Sequence, residues 1–157
     1  MLVKIAGTRG LDAVSNALEL LGDDRHITFE QELIKTSYPN YGEKNEDYPW
    51  DTARMKQVIK RVAKESGWGK SMPAGSALGF AAHKSFLTYV ACVVEVNVDE
   101  NKKISIPNVY YALDCGLAVN IDRIKSQFEG GAQFSASLAL KSTITVKNGE
   151  VEQGNFD

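Results

Sequence analysis

The chain has 157 residues, 43% hydrophobic and 24% charged, with 18 Lys and Arg against 20 Asp and Glu and a net charge of −2. Such a composition belongs to an ordinary globular domain, and its evenly spread charge offers no basic face for nucleic-acid phosphates or anionic lipids, which sets nucleic-acid partners aside. Apolar runs fall short of the twenty or so residues of a membrane span, and the opening MLVKIAGTRG lacks the apolar core of a signal peptide. Cys92 and Cys115, both in apolar surroundings, make no disulfide framework and leave the compartment open.

Leu11, Val14, Leu18 and Leu21 recur at the spacing of one helical face, and Gly22 supplies a stop, predicting a short amphipathic helix. The following DDRHITFEQELIKTSYPNYGEKNEDYPW has no sustained periodicity and reads as a long surface connection, with a short strand or turn near residues 27–34. Asp51 then caps a second helix whose stripe is Met55, Val58, Ile59 and Val62 and whose end is Gly67. After the Gly- and Pro-rich link GWGKSMPAGSALG, residues 80–98 are rich in β-branched and aromatic types, with Val90, Cys92, Val94, Val96 and Val98 alternating on one face. One long strand is expected there. DENKK turns the chain into a second strand over residues 104–113, forming an antiparallel hairpin, and Pro107 requires an edge or a bulge because it cannot donate to a ladder.

A third helix is expected over residues 123–140, capped by Asn120 or Asp122, and STITVKNGEVEQGNF reads as a hairpin about Asn148-Gly149, the pair suited to a type I′ turn. The fold class is therefore α+β: two N-terminal helices, an antiparallel sheet with a helix packed on it, and a terminal β-hairpin. Residues 1–50 form an N-terminal helix with its surface connection, and residues 51–157 form the α+β part.

The third helix carries two interior glycines, each costing roughly 1 kcal/mol relative to alanine. Gln127, Gly130, Gly131, Phe134 and Leu138 share one side of it. Such a slim flank admits close backbone approach, either by a packed neighbouring element or by a bulky ligand for which the Gln127 amide offers two donors and an acceptor. A phosphate at the helix N-terminus is opposed by Asp122, although Arg123 and Lys125 soften that objection. Glu129 falls on a different side from Gln127.

Other constellations carry less. Cys115, with His83 or His26 as base and Asp114 beside it, has the residue types of a nucleophile site, but free cysteines ordinarily behave as small buried hydrophobes. Cys92, Cys115, His26 and His83 lack the close pairs of a zinc site. His83 is expected to be a partly buried, hydrogen-bonded histidine.

GWGK, AAHKSFLTYVA, DCGLAVN followed by QFEGG, and NGEVEQGNF resemble the molybdenum-binding large subunit of isoquinoline 1-oxidoreductase and its aldehyde dehydrogenase relatives, in the xanthine dehydrogenase superfamily. The resemblance runs from about Leu11 to the end. It implies a piece of a larger subunit that binds a molybdopterin dinucleotide, hydroxylating N-heterocycles or oxidising aldehydes with oxygen from water, and passing electrons to an iron-sulfur small subunit. It also implies that Gln127 contacts the cofactor and that Gly130 and Gly131 let the helix come close to it. Ile121 stands where many relatives have proline, and the family's glycine-rich cofactor loops and catalytic glutamate have no counterpart here. The chain alone is accordingly expected to hold no cofactor, to lack activity and to self-associate through the edge of its last strand. A stand-alone, non-catalytic interaction module of the same fold is the alternative.

Overall fold

The computed structural model describes residues 6–27 and 46–154. Within them the chain divides into two compact units, Met1–Gly116 and Leu117–Asp157.

Helix α1 of the first unit spans Ala13–Leu21. Both oxygens of the Asp12 side chain cap it, accepting from the Val14 and Ser15 amides, and Gly22 ends it at φ 64°. Two short strands, β1 (His26–Ile27) and β2 (Trp50–Asp51), pair antiparallel. Most of the expected strand or turn at residues 27–34 lies outside the described residues. Helix α2, Thr52–Ser66, starts where expected: Asp51 accepts from the Ala53 and Arg54 amides, and Gly67 closes the helix in the left-handed region. Thr52 is fully buried, and its hydroxyl is satisfied by bonds with the Arg25 amide and the Asp23 carbonyl, tying the helix start to the preceding turn.

Residues 80–98 do not form one strand. They belong to two antiparallel strands, β3 (Ser76–Ser85) and β4 (Thr88–Val98), joined by the two-residue turn Phe86-Leu87. Phe86 takes φ 51° there, and neither residue is of a type that announces a turn, which is why the pattern reads as continuous. At the next turn the Asp99 carboxylate accepts from the Asn101 and Lys103 amides before the chain enters β5, Ile104–Asp114. The order is β3-β4-β5, so β5 is an edge strand, and the register shifts between Glu95 and Asn97 opposite Pro107. Pro107 thus sits both on an edge and in a bulge.

The helix packed on this sheet is α2, one of the two N-terminal helices. Its Met55, Val58, Ile59 and Val62 are all at most 4% exposed and meet Phe80, Tyr89, Ala91, Val93 and Ala112 in one core, with Val14 and Ala17 of α1. The buried face of β4 is therefore the Tyr89, Ala91, Val93 side, opposite to the valine alternation seen in the sequence. Register aligns Ala82, Ala91 and Ala112 across the three strands, a row of small side chains beneath α2. Trp68 Nε1 donates to the Asp12 carboxylate that caps α1, and its ring meets Phe80 edge-on at 5.9 Å, so the GWGK segment ties both helices to the sheet.

The second unit contains helix α3, Ile121–Lys141, capped by Asn120 through the Arg123 amide, with Asp122 in its first turn. Its hairpin has short strands β6 (Val146–Lys147) and β7 (Glu150–Val151), and Asn148 and Gly149 both take positive φ, 52° and 86°, as a type I′ turn demands.

Candidate functional site

The residues expected from the sequence to contact a ligand, Gln127, Gly130 and Gly131, lie on one exposed flank of α3. A side-chain carbon built at either glycine meets nothing within 4 Å. No residue of α3 is buried; Phe134 and Leu138, which continue the flank, are 61% and 41% exposed. Among the described residues the Gln127 amide has no protein partner, which leaves both donors and the carbonyl available beside uncovered main chain.

A second concentration of chemistry lies in the first unit. Register aligns Lys84, Tyr89 and Asp114 in a single row across β3, β4 and β5, on the side facing α2. From α2, Arg54 reaches Asp114 in a bidentate pair, Nε and Nη2 each 2.7 Å from a carboxylate oxygen, and its guanidinium lies 4.6 Å from the Tyr89 ring centre. Lys84 Nζ lies 5.3 Å from the same centre. The Tyr89 hydroxyl accepts from the Asp51 amide at 2.7 Å and donates to the Pro49 carbonyl at 3.4 Å, and Trp50 meets its ring edge-on at 5.9 Å.

The charges respond to this layout. The Arg54 hydrogen bonds hold the Asp114 carboxyl below the usual carboxylate range, burial pushes the Tyr89 phenol up, and burial together with the Arg54 charge lowers the Lys84 ammonium. His26, Tyr48, Asp51, Arg54, Lys84 and Tyr89 line an open cleft of about 170 Å³ at the head of α2. Sequence reasoning missed this cluster because the row exists only once residues 76–98 fold back as two strands.

The remaining sequence candidates stay apart. His83 is exposed on β3 rather than partly buried, because its position alternates with Lys84 and Ala82 on the α2-facing side. Cys92 lies opposite Tyr111, where burial raises its thiol, and Cys115 follows the end of β5. Among the described residues no three His, Cys, Asp or Glu side chains converge as a metal site, and no helix is long and apolar enough to cross a membrane.

A family model described as molybdopterin cofactor-binding domain matches residues 10–157. The chain belongs to that family. This molybdopterin cofactor-binding domain is 32% identical over 103 residues to isoquinoline 1-oxidoreductase subunit beta of Brevundimonas diminuta, covering 63% of the chain and 13% of that protein. It is 28% identical over 127 residues to the membrane-bound aldehyde dehydrogenase (pyrroloquinoline-quinone) of Gluconacetobacter polyoxogenes, covering 77% of the chain and 16% of that protein. The domain therefore spans less than a fifth of the length of these curated relatives. No solved structure matches it. Its match includes α3 whole, with Gln127, Gly130 and Gly131 inside it.

Proposed function

We propose that the domain forms part of the large subunit of a molybdenum hydroxylase, and that Gln127, Gly130 and Gly131 flank the molybdopterin there. The family match over nearly the whole chain carries this reading. The flank is suited to the role in two respects: the Gln127 amide is free to bond a polar edge, and a flat group meets no side chain over Gly130 or Gly131. When bound, the molybdenum centre supplies the two-electron oxidation of an N-heterocycle or an aldehyde. This chain's part is to hold and orient, with the Gln127 amide and bare main chain offered on this flank.

The dinucleotide form of the cofactor, an iron-sulfur small subunit as electron acceptor and a base from elsewhere in the subunit complete the proposal. With the base supplied from elsewhere in the subunit, the isolated domain is inactive on this reading. Pyrroloquinoline quinone, which the second relative's name carries, is the competing redox group.

The test is a pair of substitutions in the intact enzyme. Gln127→Ala lowers molybdenum and pterin content per subunit, or turnover at full loading, more than Glu129→Ala does. Equal and small effects remove Gln127 from the site, and a quinone without pterin in the purified enzyme overturns the cofactor assignment.

A further inference from the structure

Lys84 stands out among the cations of the cleft because, among the described residues, it has no carboxylate partner. Among the described residues the two carboxylates with printed partners near it are committed elsewhere. Arg54 is held bidentate by Asp114, and Asp51 spends its carboxylate on the α2 amides and on His26 at 3.4 Å. Asp114 lies two strands away in the same row, about 10 Å at the usual strand spacing. Asp47 lines the cleft without forming an ion pair to Lys84 among the described residues. What Lys84 does meet is the Tyr89 ring at 5.3 Å and the positive field of Arg54, whose guanidinium packs on that same ring.

An amine partly withdrawn from water, sharing an aromatic ring with a fixed guanidinium and lining a cleft, is an arrangement that favours the neutral, nucleophilic form of lysine. We propose that Lys84 is a carbonyl-capturing amine: a small aldehyde or ketone entering the cleft condenses with Nζ to form an imine. The nitrogen lone pair adds to the carbonyl carbon, and the carbonyl oxygen takes up a proton to give the carbinolamine. Loss of that oxygen as water leaves the C=N bond, so one water is released and nothing is oxidised or reduced. The exposed Tyr48 ring and Leu87 supply apolar walls for the carbonyl compound's substituent. The lowered ammonium of Lys84 agrees with this role. The proposal stands independently of the cofactor reading, since it rests on the first unit alone.

The experiment incubates the full chain with benzaldehyde and sodium cyanoborohydride and locates the resulting secondary amines by peptide mass spectrometry. Exposed Lys102 and Lys147 serve as internal references. At pH 7, Lys84 is modified several-fold faster than either, and the preference disappears above the ordinary lysine pKa of about 10.4, where every lysine is neutral. Arg54→Gln, which removes the guanidinium and releases Asp114, lowers the Lys84 rate several-fold toward the reference value, with retained circular dichroism as the folding control. Should that variant not fold, the pH dependence of the wild-type rate decides: Lys84 gains its reactivity at lower pH than Lys102 and Lys147. Modification of Lys84 no faster than the references at pH 7, or the same pH profile for all three, overturns the proposal.

Discussion

Replacing Gly130 and Gly131 by alanine should stabilise the domain and impair the enzyme. Both residues lie inside α3 with ordinary helical φ, both are exposed, and an added methyl at either meets nothing within 4 Å. Only the intrinsic term then remains, roughly 1 kcal/mol per site, or about 2 kcal/mol for the pair if adjacent sites add. Hydrogen exchange of the α3 amides reads this directly, because local opening of the helix becomes rarer: about 2 kcal/mol corresponds to about thirtyfold slower exchange. In the cofactor-loaded enzyme the same two methyl groups occupy the space the proposed ligand needs, so molybdenum and pterin content falls. Faster exchange in the isolated chain would mean that something in the chain already covers the flank. Slower exchange with undiminished cofactor content would mean that the glycines serve no ligand, and the reasoning behind the site would fail.

Tyr89→Phe removes the oxygen that accepts the Asp51 amide at 2.7 Å and leaves that partly buried donor without this partner; a loss of about 1 kcal/mol is expected as a lower urea midpoint at unchanged slope, and a loss below about 0.5 kcal/mol contradicts it. Asp114→Asn cancels the charge opposite Arg54, and because each partner is about a third exposed the expected loss at pH 7 is discounted to about 1 kcal/mol. The folded Asp114 carboxyl is depressed, so its contribution is complete above the unfolded value near 3.9 and is lost as pH falls through the folded value. The gap between wild type and variant therefore closes in strong acid, and a gap that does not narrow removes Asp114 from the account. In the second unit Leu117, Val119 and Ile144 are 89%, 87% and 77% exposed, so the isolated domain should self-associate; a sedimentation mass that stays monomeric at all concentrations counts against this.

Local chemistry made much of this fold readable. Asp51 and Gly67 mark α2 because a carboxylate ahead of an apolar stripe and a residue free to take positive φ behind it are strong, short-range signals. Pro107 and Asn148-Gly149 are equally local and equally clear. Phe86-Leu87 carries no such signal, since a phenylalanine at φ 51° is held there by the strands on either side rather than by its own preference. From that one turn follows the rest of what the sequence hides. The core face of β4 is the Tyr89, Ala91, Val93 side because α2 lies there, and a strand with apolar residues on both faces does not declare which face its partner chooses. The Lys84, Tyr89, Asp114 row joins residues from three strands and is legible only in three dimensions. Gln127, Gly130 and Gly131, by contrast, share a flank by helical period alone, and the helix is where the sequence put it.

The two units differ in what their order depends on. Every buried apolar side chain among the described residues precedes Gly116, so the first unit carries a core of its own and its sheet and α2 support one another. Helix α3 has 21 residues, two glycines and no buried side chain, which makes it marginal by the usual standard that helices draw most of their stability from a packed face. A group that binds only the helical form adds its binding free energy to the helix, so cofactor or neighbouring chain and helix order are linked: whatever occupies the Gln127 flank should also protect the α3 amides. Glycine is then no defect in this helix. On the proposed reading it keeps the flank bare and leaves the helix's stability to be set by the ligand, so that a loaded and an empty domain should differ most in α3 and least in the sheet.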